Sequence, residues 1–123
     1  MRLLLDTHVV LWWLRGDRSE LSPAVIDLIE TETAVYYSPI STYEILRKSA
    51  RGKLEVPSGL AAGLATLVEL AVRNVHTTAA AELPEIHRDP FDRILIAQAK
   101  VERLTLVTRD ATIRRYDVDT LEV

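Results

Sequence analysis

Four acidic residues stand at the ends of predicted structural elements, where carboxylates can act together. They are Asp6, Glu44, Asp92 and Asp110. Asp6 and Asp110 follow short apolar segments of strand composition, whereas Glu44 and Asp92 lie in the first turns of predicted helices. In an open α/β sheet, ligands bind outside the carboxyl ends of the strands. Since the strands are predicted to be mostly parallel, we expect all four carboxylates at the same edge of the sheet.

A carboxylate cluster of this kind is costly unless a cation lies within it. Two like charges ~4 Å apart repel by roughly 4 kcal/mol at an effective dielectric of 20. Either some of the acids are protonated or a cation sits between them. Oxygen ligands, in a chain that has no cysteine, favour a hard ion such as Mg²⁺ or Mn²⁺. Metal-activated water that attacks a phosphodiester is the natural chemistry of such a site.

Each acid also has a purely structural explanation. Glu44 closes the pattern Ser41-Thr-Tyr-Glu, which matches a capping box, and Asp92 in a first helical turn is stabilised by the helix dipole. Asp6 and Asp110 have the residue type of turns and caps. Taken singly, these explanations are the stronger ones. Taken together they are weaker, because capping gives no reason for acids to gather after successive strands.

The segment of residues 87–100, HRDPFDRILIAQAK, carries the clearest of these helix starts. Asp89 is a good N-cap, and Pro90 suits the first helical position. The residues that follow are apolar on nearly every side, as in a helix buried within a domain. We assign the structural N-cap to Asp89 and expect Asp92, one turn further on, to face the site.

Strand-like and helix-like segments alternate along the chain. Strands are predicted at residues 2–5, 35–38 and 104–107, with a brief one at 74–77 and an edge strand at 118–123. Helices are predicted at 8–14, 22–30, 41–48, 78–83 and 89–100, with a break at 52–57, helical apolar spacing over 58–72 and a short turn through Ile113. Such alternation indicates an α/β fold with a mostly parallel sheet.

Length and composition are those of a soluble globular protein. The 123 residues are predicted to form a single domain, 1–123. Hydrophobic residues make up 48% and charged residues 27%, which is ordinary for this class. The net charge of −3 argues against a non-specific nucleic-acid-coating protein, which is more often strongly basic. We expect a cytoplasmic protein, because we find no cysteine, no signal peptide and no membrane span.

Residues beside the four acids offer weaker signals. His8 has a metal-ligating side chain close to Asp6, although a lone histidine in a short helix is more often packed. Trp12 and Trp13 point about 100° apart on a helix, so we expect one in the core and the other on a partner surface. A basic segment after Glu44 is either a solvated face or a contact for a nucleic-acid backbone. Its members are Arg47, Lys48, Arg51 and Lys53.

Several stretches together resemble the PIN domain, in particular the VapC-type toxins of bacterial and archaeal toxin–antitoxin pairs. They are LLLDTHVVLWWL at the start, SPISTYEILRKSARGKL in the middle, and HRDPFDRILIAQA followed by LTLVTRD. These stretches cover the chain nearly end to end in the expected order, with Asp92 and Asp110 separated by 18 positions.

This resemblance implies a three-layer α/β/α sandwich with a mostly parallel sheet of about five strands. It also implies a Mg²⁺- or Mn²⁺-dependent endoribonuclease, the toxin of a type II pair, whose acidic pocket maps onto the four acids. Thr7 and Thr108 match positions that often keep a hydroxyl, and Arg109 matches a frequent but less constant position. Similar proteins are commonly homodimers, inhibited by a small antitoxin whose tail occupies the acidic groove.

The acids and the resemblance together suggest a division of roles. Asp6 and Asp92 hold the principal ion, and Asp110 completes its shell directly or through water. Glu44 positions the ion or the attacking water. The predicted function is therefore hydrolysis of RNA phosphodiester bonds with a metal-activated water.

Two alternatives come from other functional classes. One is a PIN-like module that has lost catalysis and binds only a partner or RNA. The other is a receiver-type phosphorylation switch, which is also α/β with Mg²⁺ at strand ends. A receiver normally has paired acids at the end of its first strand and a lysine after its last full strand. Here Asp6 is followed by Thr7, and no lysine lies beyond Lys100, which makes the receiver interpretation poor.

Overall fold

The computed structural model describes residues 1–32, 34–56 and 58–123, which form a five-stranded sheet with helices on both faces. The strands are β1 (Leu3–Leu5), β2 (Val35–Tyr37), β3 (Val68–Glu69), β4 (Thr105–Thr108) and β5 (Thr120–Glu122). Their order is β3-β2-β1-β4-β5, and all four pairings are parallel. The predicted parallel sheet of about five strands is confirmed, with β5 at an edge as expected.

The helices begin where the sequence offers caps. They are α1 (Thr7–Arg15), α2 (Pro23–Thr31), α3 (Pro39–Ala50), α4 (Leu60–Leu64), α5 (Asn74–Glu82) and α6 (Pro90–Glu102). Short 3-10 turns cover Arg18–Glu20 and Ile113–Arg115. In α2, α3 and α6 a serine or aspartate N-cap precedes a proline at the first helical position. This pair satisfies a free backbone N–H and presets the helical φ angle, so these starts are locally encoded.

The central strand β1 divides the core into two clusters. Leu3 and Leu5 are fully buried on one face of the sheet, with residues of α1 and α2. Leu4 is fully buried on the other face, against Leu95 of α6 and Leu106 of β4. Successive side chains of a strand point to opposite faces, so an uninterrupted apolar strand indicates helices on both sides, which confirms the three-layer arrangement.

Helix α3 begins one turn earlier than the capping-box prediction placed it. Its N-cap is Ser38, whose hydroxyl accepts a hydrogen bond from the N–H of Ile40, 3.2 Å away. The Ser41 hydroxyl instead lies 2.9 Å from the Thr7 hydroxyl in the core. The serine–proline pair at 38–39 determined the start, and Glu44 consequently lies in the second turn.

Two predictions between residues 58 and 77 were wrong. The apolar spacing over 58–72 predicts a helix, but the helix covers only α4 and the chain then forms β3. Strand β3 forms because the edge of β2 is available for pairing, and the Tyr37 carbonyl accepts a hydrogen bond from the Leu70 N–H at 2.8 Å. The strand expected at 74–77 is the first part of α5, whose start is held by the Arg73 N–H donating to Nδ1 of His76 at 2.9 Å. Of the predicted break at 52–57, Pro57 lies outside the described residues.

Among the helices that the structure describes, none is long and apolar enough to cross a membrane.

Candidate active site

A cleft of about 420 Å³ opens at the carboxyl edge of the sheet. β1 and β4 are neighbours, so Asp6 and Asp110, which follow them, come to one edge. Helices α3 and α6 add Glu44 and Asp92 to the same cleft. The lining residues are Asp6, Thr7, His8, Trp12, Glu44, Lys48, Asp89, Asp92, Arg109 and Asp110. All four acids singled out in the sequence therefore meet in one place.

Asp6 combines a structural contact with a place in the cleft. It is the N-cap of α1, and its Oδ1 accepts a hydrogen bond from the N–H of Val9 at 3.0 Å. The Thr108 hydroxyl donates to its Oδ2. Burial raises the pKa of Asp6 above its usual value, and these two hydrogen bonds offset only part of that effect. Asp6 therefore serves as the N-cap of α1 and also contributes a carboxylate to the cleft.

Asp92 has the most perturbed acidity of the four. Its pKa is raised from 3.8 to about 7, chiefly by burial and then by the negative charge of Asp89. Proximity to His87 lowers the pKa, whereas Glu44 and Asp6 raise it further. Asp89 is the N-cap of α6, as predicted, and accepts from the Phe91 N–H. Asp92 thus resists ionising beside its acidic neighbours in the absence of a cation.

Asp110 behaves in the opposite way. Desolvation acts to raise its pKa, but hydrogen bonds from His87 and from the N–H of Thr112 at 2.8 Å outweigh it, so the pKa of Asp110 lies below the usual value. Its own N–H donates to the Thr108 hydroxyl at 3.0 Å. Thr108 therefore links Asp6 to Asp110.

Glu44 retains an unpaired oxygen. The residue is only 8% exposed, and its Oε2 accepts from Nζ of Lys48 at 2.9 Å. Its Oε1 is buried and has no hydrogen-bond partner among the described residues. Leaving a buried acceptor unsatisfied costs about 1–3 kcal/mol, so a fold rarely keeps one without a reason. An oxygen of this kind at an acidic cleft is what a cation or a bound water would complete.

His87 is the contributor that sequence reasoning missed. Its Nε2 lies 3.0 Å from Oδ2 of Asp92 and 3.0 Å from Oδ2 of Asp110. The N–H of Asp89 donates to its Nδ1 at 3.2 Å, so a neutral ring carries its proton on Nε2, which donates to Oδ2 of Asp110 and lies beside Oδ2 of Asp92. The available signal was its position two residues before the N-cap of the helix that carries Asp92.

The three supporting positions have partners of their own. The Thr7 hydroxyl contacts Ser41, and the Thr108 hydroxyl is engaged with two acids as described. Arg109 forms an ion pair with Glu20 at 2.8 Å and lies over the Trp12 ring, 4.4 Å from its centre. Both threonine hydroxyls are thus hydrogen-bonded, and Arg109 borders the cleft.

Two further expectations concern His8 and the pair of tryptophans. His8 is exposed at the cleft and is not packed in the core. Trp12 and Trp13 are both half-buried, so the expected division into one core and one surface residue is wrong. Arginines account for this, because Arg109 covers Trp12 and Arg18 lies 3.8 Å above the Trp13 ring. Such cation–π contacts cover a ring that the core leaves partly open.

The donor set fits a hard divalent cation. One ligand atom each from His87, Asp92 and Asp110 lies within 4.8 Å of the other two. The four carboxylates supply the oxygen ligands that Mg²⁺ and Mn²⁺ prefer, and Glu44 adds an oxygen without a partner. Nε2 of His87 contacts both Asp92 and Asp110 and is itself a nitrogen that can bind a metal when it is unprotonated.

Comparison with known proteins identifies the fold family. The model of the PIN domain matches residues 3–119. The chain belongs to the PIN domain family. Its sheet order also differs from the 2-1-3-4-5 order of receiver-type domains. The resemblance found in the sequence is thereby confirmed.

Proteins similar to this chain include a named ribonuclease and a toxin–antitoxin complex. The chain is 28% identical over 119 residues to the ribonuclease VapC22 of Mycobacterium tuberculosis (strain ATCC 25618 / H37Rv), covering 93% of this chain and 91% of that protein. It is similar in structure to VapBC2 from Rickettsia felis bound to a promoter DNA fragment, with a TM-score of 0.75, 16% identity and coverage of 99% and 98%. A toxin–antitoxin complex from Klebsiella pneumoniae gives a TM-score of 0.71, 21% identity and coverage of 97% and 95%.

Proposed function

We propose that this PIN domain is a Mg²⁺- or Mn²⁺-dependent endoribonuclease and the toxin of a type II toxin–antitoxin pair. The observation that carries the proposal is the meeting of Asp6, Glu44, Asp92 and Asp110 in one cleft. The similarity to a protein named as a ribonuclease supports RNA as the substrate.

The residues of the cleft suggest a division of work. Because ligand atoms of Asp92 and Asp110 lie within 4.8 Å of each other, Asp92 and Asp110 would hold the cation with Asp6 beside them, which departs from the Asp6–Asp92 pair expected from the sequence. His87 would keep the two ligands at a fixed spacing. A bound Mg²⁺ or Mn²⁺ supplies a Lewis acid that stabilises the charge developing on a phosphodiester and makes water acidic. The free Oε1 of Glu44 is available to accept a hydrogen bond from the attacking water. Thr108 keeps Asp6 and Asp110 oriented.

A second groove supports a polyanionic substrate. It has a volume of about 300 Å³ and adjoins the acidic cleft, with which it shares Glu44, Lys48 and Asp89. Three exposed cations line it, and none has an ion-pair partner among the described residues: Arg47, Arg51 and Lys53. Contacts of this kind hold a nucleic-acid backbone without reading its sequence. They would place a phosphodiester beside the acids although the net charge of the chain is negative.

The remaining parts of the proposal concern assembly. We propose a single domain over residues 1–123, a cytoplasmic location, a homodimer and a small cognate antitoxin. Complexes of toxins with antitoxins among the structurally similar proteins support the antitoxin. Exposed apolar side chains on α3, namely Tyr43 and Leu46 at 51% and 45% exposure, are compatible with a covered surface beside the cleft.

RNA cleavage by the purified chain tests this function. Wild type, Asp92→Asn and the control Asp27→Asn, which changes an exposed aspartate of α2 away from the cleft, are incubated with labelled RNA and Mn²⁺. We expect cleavage by wild type and by the control, its loss in Asp92→Asn, and its loss in wild type treated with EDTA. Undiminished cleavage by Asp92→Asn would contradict the assignment. Absence of metal binding by wild type would favour a PIN module that only binds a partner.

A further inference from the structure

The loop between α5 and α6 is held by an unusually dense set of hydrogen bonds around one phenol. Tyr116 is 5% exposed, and its hydroxyl accepts from the N–H of His87 at 2.7 Å and from the N–H of Ile86 at 3.2 Å. The same hydroxyl donates to the carbonyl of Pro84 at 2.8 Å. The Tyr116 hydroxyl thus pairs with two backbone N–H groups and one carbonyl of this loop, although Tyr116 follows the loop by about thirty positions in the sequence.

Arg93 holds the loop from the other side. Its side chain is 12% exposed. Nη2 donates to the carbonyls of Ala80 and Leu83 at the end of α5, at 2.8 and 2.9 Å. Nη1 donates to the carbonyl of Pro84 at 2.9 Å and lies 3.3 Å from that of His87 and 3.4 Å from the Tyr116 hydroxyl. The planar fork of an arginine can bind this many acceptors at once, whereas an ammonium cannot.

The loop ends in His87, which joins two parts of the acidic cleft. Asp92 belongs to α6 and Asp110 follows β4, and Nε2 of His87 is 3.0 Å from each. Among the described residues, His87 is the one hydrogen-bonding or ion-pairing contact of the Asp92 side chain. The position of Asp92 relative to Asp110 therefore depends on where the loop holds His87.

We propose that Arg93 and Tyr116 are positioning residues of the acidic cleft, which act through the 84–87 loop and His87 to set the spacing of Asp92 and Asp110. The predicted effect of this inference, on the strength of divalent-cation binding, rests on the proposed function. Its structural content, the fixed orientation of the His87 ring, does not depend on RNA cleavage. Groups that orient metal ligands commonly change metal affinity by about 10–100-fold when they are removed.

Tyr116→Phe is the decisive variant, because it removes the hydroxyl and keeps the ring in the core. Arg93→Ala is unsuitable as the test variant, because it would leave several carbonyls unpaired and could prevent folding. Tyr37→Phe is the matched control, since among the described residues its hydroxyl contacts Glu69 alone, at 3.4 Å, and Tyr37 does not line the cleft. Val25→Ala, in the core cluster on the other face of the sheet, controls for a general loss of stability.

Two readouts are taken on the 123-residue chain. The first is the ring ¹⁵N spectrum of the three histidines without metal, in which we expect Tyr116→Phe to shift the His87 signals and leave those of His76 unchanged. The second is a calorimetric titration with Mn²⁺ alone, in which we expect Tyr116→Phe to weaken binding about tenfold or more. Both controls should keep the wild-type spectrum of His87 and the wild-type affinity.

The inference is overturned when Tyr116→Phe leaves the His87 signals and the Mn²⁺ affinity as they are in wild type. It is also overturned when Val25→Ala loses as much affinity as Tyr116→Phe. Should wild type bind no Mn²⁺, the metal part of the proposed function fails, and the His87 signals still decide whether Tyr116 orients the ring.

Discussion

Replacing Asp92 by asparagine should stabilise the metal-free protein at neutral and alkaline pH. The pKa of Asp92 in the folded protein is about 7, against a usual value of 3.8. Because the folded value is the higher one, the favourable contribution of Asp92 is fully present below about pH 4 and is lost as the pH rises through 7. Asparagine cannot ionise, so the variant avoids this loss.

The size of the effect follows from the same pKa. At about 1.4 kcal/mol per pH unit, the difference corresponds to at most about 4 kcal/mol. Side-chain relaxation and partial solvation of a group that is 21% exposed reduce this, and we expect a gain of about 1–3 kcal/mol at pH 8. At pH 5 Asp92 is mostly protonated in the folded protein, so the gain should be smaller there.

Urea unfolding in EDTA at pH 5, 6, 7 and 8 measures this gain. The free energy of unfolding of Asp92→Asn minus that of wild type should rise with pH. Asp27→Asn, which changes an exposed aspartate, should show a difference near zero throughout. Parallel pH profiles for wild type and Asp92→Asn would refute the electrostatic account of the cleft, because they would mean that Asp92 ionises without penalty.

Three other predictions test neighbouring parts of the structure. Thr108→Val removes the hydroxyl that pairs with Oδ2 of Asp6 and with the N–H of Asp110. It should lower the free energy of unfolding, measured by urea titration, by about 1–3 kcal/mol, whereas Thr108→Ser should stay close to wild type. Added Mn²⁺ at pH 7 should raise the thermal unfolding midpoint of wild type, and should raise that of Asp6→Asn by less. Binding should also release protons, which calorimetry detects in buffers of different ionisation enthalpy. Leu95→Ala in the core should cost about 2–5 kcal/mol, and Val75→Ala, at an exposed position of α5, less than about 0.5 kcal/mol. Both values are read from urea midpoints.

The parts of the fold that sequence could predict are those with a local cause. The Asp89–Pro90 pair starts α6 where a cap and a proline predict it. The apolar run before Asp6 forms the strand β1 that its composition indicates. The acids after β1 and β4 met because neighbouring parallel strands end at one edge. None of these inferences needed a distant contact.

The features that sequence reasoning missed depend on partners far along the chain. β3 exists because the edge of β2 accepts its backbone, and apolar spacing over 58–72 does not reveal that. His87 joins the cleft because Tyr116, distant in sequence, holds its N–H. The start of α3 was misplaced because two serine caps competed and the one before proline prevailed. Pairings of this kind are decided by tertiary packing and not by local preference.

The location of a bound cation tests the central claim most directly. Crystals of the protein soaked with Mn²⁺ should give an anomalous difference peak in the cleft, about 2.0–2.3 Å from carboxylate oxygens of Asp92 and Asp110 and within reach of Glu44. A peak at that place would mean that Asp92 and Asp110 hold the cation beside Glu44. The account would be contradicted by crystals that bind Mn²⁺ elsewhere or leave the cleft without a peak, under conditions in which the dissolved protein cleaves RNA.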